Sequence, residues 1–231
     1  MAGASDSVPR SSILRKQVVA LTGILLVGYV VMHLAGNTLL FAGPTTFNHY
    51  AQKLHDLGPL LWVARIVLLV GFLVHVVLTV QLTLENRAAR GGKYAVSASK
   101  TDNTFAKKSM IYTGVPIFLF LLLHISDFTL GDHHGDPSVV AGVNDGESLG
   151  LFGLVWNGFL QPWRSGVYIV SVILVGLHLS HGVQSLFQSL GFSHAVWTPR
   201  IRTISLVLGA IVAIGFGSIP IYVLIARTPG V

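Results

Sequence analysis

Five stretches of the chain are apolar for long enough to cross a bilayer: 17–41, 60–84, 110–130, 166–190 and 203–226. A helix needs roughly 20 apolar residues for that, and polar joins separate the five. The pattern predicts an all-α, polytopic membrane protein with five transmembrane helices, organised as one domain over 1–231. Composition agrees, with 52% hydrophobic residues, 10% charged residues and a mean hydropathy of +0.69. Such values are too apolar for an ordinary soluble domain.

The joins set an expected orientation, because Lys and Arg are retained on the cytoplasmic side. Arg10, Arg15 and Lys16 precede the first span. Arg87, Arg90, Lys93, Lys100, Lys107 and Lys108 follow the second, and Arg200 and Arg202 follow the fourth. All fall on one face if the N-terminus is cytoplasmic. The other face carries Lys53, Arg164 and Arg227, and its longest loop, 131–165, holds Asp132, Asp136, Asp145 and Glu147. The net charge of +6 is thereby explained by topology, and nucleic acid is not among the expected partners.

The first apolar run lacks a small-residue cleavage site and reads as a retained span. Trp156 and Trp163 in the long outer loop suit belt anchors on an interfacial re-entry or a short surface helix. The inner join RAARGGKYAVSASKTDNTFAKK reads as a solvated connection or a docking surface for a peripheral partner. With no cysteine in the chain, thiolate-ligated iron–sulfur clusters and covalent haem attachment are excluded. A metal would be held by nitrogen or oxygen.

Histidine placement changes the picture most. His33, His75, His124 and His178 lie one each in the first four spans, and the fifth has none. The pattern is a weak two-hairpin repeat with an added helix. An ionisable group at bilayer depth is costly and needs a partner. A lone histidine could be satisfied by a neighbouring carbonyl, but four on four helices point to a common partner, and buried acids are too few to supply it. At about 1.5 Å per residue, His75 and His178 lie toward the cytoplasmic face, and His33 and His124 toward the other. The two levels are expected on the order of 10 to 15 Å apart. Two facing pairs at two depths are what two stacked, non-covalent b haems require, each taking one imidazole from either side. The expected pairs are His75 with His178, inner, and His33 with His124, outer. A single four-His metal site would need its ligands at one depth.

Gly36, Gly71 and Gly182 each stand one turn from a histidine, where a small residue lets a flat macrocycle approach. Phe120 and Phe128 flank His124 at the same spacing. Gln17 and Gln184, with Ser185, Gln188, Arg15 and Lys16, are candidates to receive propionates. Arg65 and Asp127 are placed to pair with each other, meet outer propionates or snorkel. His55 and Asp56, with His49, fall in the outer join and are candidates for quinone binding or proton exchange. His133, His134 and His194 read as surface residues.

HLAGNTLLFAGPTTFNHYAQKL from His33, HVVLTVQLTLENRAARGG from His75, HISDFTLG from His124 and HLSHGVQSLFQSLG from His178 follow one another in order and spacing. In these features nearly the whole chain resembles the dihaem cytochrome b (b558-type) membrane anchor of succinate dehydrogenase and the related fumarate reductases. The resemblance implies a multi-pass subunit of the bacterial cytoplasmic membrane with two haem b groups. Electrons would pass to it from a flavoprotein subunit and an iron–sulfur subunit on the cytoplasmic face, and on to a quinone, with menaquinone implied. The succinate site would lie outside this chain.

In that family the last ligand stands in a pattern H-x-x-x-G, matched by His178 and Gly182, so the resemblance gives His181 no ligand role. Some fumarate reductases of the family carry a glutamate two residues before that ligand, where this chain has Gly176. The departure tilts the reading toward succinate oxidation. Two alternatives are a cytochrome b subunit of a hydrogenase or formate dehydrogenase, and a haem-free anchor or small transporter whose histidines relay protons.

Overall fold

A computed structural model describes residues 12–88, 103–132, 134–192 and 194–229. The side chains of 103–109 are outside that description, as are Arg10, Arg90, Lys93, Lys100 and His133. Most of the basic inner join therefore lies outside the described residues.

Among the described residues the regular structure is helical. The long helices are α1 (Ser12–Thr38), α3 (Pro59–Ala88), α4 (Asn103–Phe128), α6 (Pro162–Ser189) and α7 (Trp197–Ala226), with shorter α2 (Pro44–His55) and α5 (Gly150–Leu160). The five long ones are apolar and long enough to span a membrane. The expected spans match them with end shifts of a few residues, α1 being prolonged by a 3-10 turn over Leu39–Ala42.

Helix ends follow local chemistry. Proline stands at the start of α2, α3 and α6, where its missing N–H costs nothing and its fixed φ suits a first turn. Gly191, at φ 90°, terminates α6. The Phe192 N–H then reaches the Phe187 carbonyl at 2.9 Å, closing the helix in the manner only a left-handed residue permits.

The inner end of the bundle carries Ser12, and the outer end carries the long loop between α4 and α6. α1 packs against α3, α6 and α7, and α6 against α4 and α7. α3 has one extensive helical neighbour, α1. The result is two hairpins, α1–α3 and α4–α6, joined through α1 and α6 and backed by α7. The α6–α7 seam is the tightest. A Cβ on Gly176 would lie 2.5 Å from the Gly209 carbonyl oxygen, and a Cβ on Gly209 would collide with the Gly176 carbonyl in return. Small residues permit this close backbone approach between membrane helices.

At the outer end the join after α1 folds as α2, and α5 tucks inward as the centre of an aromatic core with Leu40, Phe47, Phe159, Tyr168 and Ile219. Asn48 on α2 clamps the start of α5, donating to the Leu149 carbonyl at 2.7 Å and accepting from the Phe152 N–H at 3.0 Å. Trp156 departs from the expected belt role. It is 0% exposed, stacked on Phe152 at 5.3 Å, with its indole N–H donating to the Arg227 carbonyl at 3.3 Å. Burial on both faces of α5 gives it a core position. Trp163 is 59% exposed, with the Arg164 guanidinium 5.3 Å from its ring centre.

Candidate functional site

The long helices bring the four histidines into two groups, His75 and His178 near mid-helix and His33 and His124 near the outer ends of α1 and α4. At the outer level His33 on α1 and His124 on α4 face each other, ring centres 5.7 Å apart and planes at 82°. Their surroundings are aromatic. Tyr29 stacks on His33 at 5.3 Å and Phe216 of α7 lies at 5.6 Å. Phe120, Phe128 and Tyr168 surround His124 at 5.8, 5.6 and 6.0 Å. Among the described residues the Nδ1 of His124 is buried without a hydrogen-bond partner. The Asn37 amide lies 3.3 and 3.4 Å from the two ring nitrogens of His33 and donates to the His33 carbonyl at 2.8 Å.

At the inner level stand His75 on α3 and His178 on α6. Each is held by a threonine of its own hairpin. Thr22 Oγ1 is 3.1 Å from His75 Nδ1, and Thr113 Oγ1 is 3.0 Å from His178 Nδ1. Both hydroxyl protons have acceptors in their own helices, Val18 and Val19 carbonyls for Thr22 and the Met110 carbonyl for Thr113. A hydroxyl that has given its proton can still accept. With its proton given to a carbonyl, each hydroxyl is free to accept from the imidazole Nδ1, which would leave Nε2 as the bare nitrogen.

From Thr22 to His33 along α1, and from Thr113 to His124 along α4, is the same interval of 11 residues. At about 1.5 Å per residue the levels are about 16 Å apart. Between them Phe72 of α3 and Phe118 of α4 stack with ring centres 6.0 Å apart and planes at 6°. These side chains meet where the two helix backbones do not pack closely.

Other candidates fall differently. Gly36 makes room for α2: a Cβ there would lie 2.5 Å from the Tyr50 hydroxyl. Gly71 makes room for α1, its added Cβ falling 2.8 Å from Leu25 Cδ2. Spacing of one turn from a histidine did not reveal that both face protein neighbours. An added Cβ at Gly182 would rest 3.7 Å from Met110, an ordinary contact. The glycines beside the inner imidazoles are Gly23 and Gly114, where a Cβ would lie 3.7 Å from Cε1 of His75 and of His178.

Gln17 is exposed at the inner end and Gln184 half-buried. His55 and Asp56 are exposed, with Asp56 accepting from Gln52 at 2.7 Å. Arg65 does not pair with Asp127; its guanidinium lies 5.1 Å from the Trp62 ring centre. Asp127 pairs instead with Arg164 at 3.5 Å and accepts from the Tyr168 hydroxyl at 2.9 Å. This polar cluster ties α4 to α6 beside His124. At the inner end Arg15 donates to Glu85 at 2.6 Å, tying α1 to α3.

The donor set suits a group that takes one neutral imidazole from each side. With a metal–imidazole bond near 2 Å on either side, ring centres would stand about 6 Å apart across one ion, close to the 5.7 Å of the outer pair. Among the described residues no three or more His, Asp or Glu converge on a point, so a multidentate metal site has no ligands there. Comparison with known protein families, with curated proteins and with solved structures found no match.

Proposed function

We propose that the chain is the dihaem cytochrome b membrane anchor of a succinate:quinone oxidoreductase. His75 and His178 hold an inner haem and His33 and His124 an outer one. The observation that carries this reading is the grouping of four histidines from four apolar helices at two depths, with His33 and His124 facing at 5.7 Å. A haem held by two imidazoles would supply one-electron transfer and no substrate chemistry. The protein's part is to hold the imidazoles neutral and oriented, exclude water with apolar helices and space the two levels.

Flavoprotein and iron–sulfur subunits docked at the inner end would deliver electrons, and a quinone, menaquinone by the resemblance, would meet the chain near the outer pair. Tyr29 stacked on His33 and the Asp127–Tyr168 hydrogen bond beside His124 support that end, because they supply an aromatic face and a proton-exchanging group. His55 and Asp56 are weaker candidates, being exposed. Succinate oxidation is favoured over fumarate reduction by the packing at Gly176, where a Cβ would strike the Gly209 backbone and no carboxylate can be carried.

The test is a reduced-minus-oxidised spectrum with haem quantification on the purified complex. Two b-type haems per chain, reduced by succinate, are expected. A preparation containing intact chain and no haem overturns the proposal, and co-purification with a nickel or molybdenum enzyme in place of a flavoprotein reassigns the partner.

A further inference from the structure

We infer that Thr22 and Thr113 are positioning residues for the inner haem. Each hydroxyl accepts the Nδ1 proton of the histidine on the neighbouring helix and presents that histidine's Nε2 to a shared iron. The inference rests on the reading of the histidines as haem ligands and adds residues that act through them.

The arrangement occurs twice, in independent parts of the chain. On α1, Thr22–Gly23 stands ten residues before His33, counted from the glycine, and on α4 Thr113–Gly114 stands ten before His124. Each threonine meets a histidine of its own hairpin at 3.0 to 3.1 Å, and each following glycine leaves the same 3.7 Å clearance to that histidine's Cε1. Threonines in helices commonly donate to their own preceding carbonyls, which explains where their protons go. It does not explain why both oxygens then face an imidazole nitrogen across a helix interface. A neutral ring has one donor nitrogen, and the partner of that donor decides which nitrogen is free to ligate.

The outer level lacks the device. Among the described residues His124 Nδ1 has no partner, and the group beside the His33 nitrogens is an amide of its own helix. Donation from Nδ1 makes an imidazole a more basic ligand, and second-shell hydrogen bonding is one lever on haem potential. The inner haem is therefore held at a lower potential than its ligand set alone would give, and the outer haem is not so lowered.

The experiment uses the intact complex carrying Thr22→Val, Thr113→Val, or the corresponding Ser substitutions. It combines optical redox titration with electron paramagnetic resonance of the oxidised, low-spin haems. Each Val variant is expected to raise the midpoint potential of the inner haem and shift its largest g value, leaving the outer haem unchanged. The Ser variants, which keep the acceptor, are expected to match the parent. Loss of the inner haem alone in a Val variant, with retention in its Ser counterpart, also supports the inference. An inner haem unchanged in both Val variants, equal shifts in Ser and Val variants, or a change confined to the outer haem would overturn it. Absence of b haem from the unsubstituted complex instead defeats the functional reading, which separates the two failures.

Discussion

Replacing Gly176 with alanine probes the α6–α7 seam directly. The new methyl carbon would lie 2.5 Å from the Gly209 carbonyl oxygen and 2.8 Å from Ala213 Cβ. A carbon–oxygen contact relaxes at about 3.3 Å, so the helices must separate by about 0.8 Å at this point. The obstruction is backbone, which cannot rotate away as a side chain would. Overpacking of a well-filled interior costs about 1–3 kcal/mol, and a seam that must open belongs at the upper end. Against this, alanine gains roughly 0.5–1 kcal/mol over glycine in a helix, leaving a net loss of about 1–2 kcal/mol. Gly28 supplies the internal control: it lies mid-helix in α1 with nothing within 4 Å of an added Cβ. Thermal unfolding in detergent, followed by size-exclusion chromatography, should show Gly176→Ala melting lower than the parent and Gly28→Ala at or above it. Equal behaviour of the two variants would refute the claim that the seam depends on backbone contact at Gly176.

Trp156→Ala, which empties a fully buried site, is expected to cost about 3–5 kcal/mol and to expose the 131–165 loop to limited proteolysis. Asn48→Ala removes both clamps on the start of α5; a loss of about 1–2 kcal/mol should appear in the same melting assay, with Asn48→Asp retaining part of it. Tyr168→Phe withdraws the hydroxyl from Asp127 and should lower stability by about 1–2 kcal/mol, whereas Arg65→Ala, outside that cluster, should leave it unchanged. Under the proposed function, His178→Ala loses the inner haem and His181→Ala retains both haems, read from absorbance per chain.

The spans were legible because bilayer thickness imposes a length that the apolar runs must meet, and the histidines stood out because ionisable groups are rare at that depth. Their grouping by depth followed from helix rise alone. The short helices were harder. α5 reads as interfacial because its tryptophan suggests a belt, yet Phe152, Trp156 and Phe159 are core, a consequence of contacts with α2 and the loop around Val140 that no local pattern encodes. The neighbours of Gly36 and Gly71 were hidden for a related reason. Distance along a helix from a histidine does not fix which face meets which neighbour, and their neighbours Tyr50 and Leu25 come from other helices. Thr22 and Thr113 were overlooked because their partners lie 53 and 65 residues away. The doubled Thr-Gly with a histidine ten residues later was nonetheless present as a readable signal.

The division into two hairpins also bears on how the protein is put together. Thr22 with His75 belongs to the first hairpin and Thr113 with His178 to the second, so each inner imidazole can be oriented as its own hairpin leaves the insertion machinery. His33 and His124 belong to different hairpins and meet only after the halves dock. His75 and His178 likewise sit on different hairpins, so an assembly intermediate with undocked hairpins would hold each inner imidazole against its threonine while neither pair is closed.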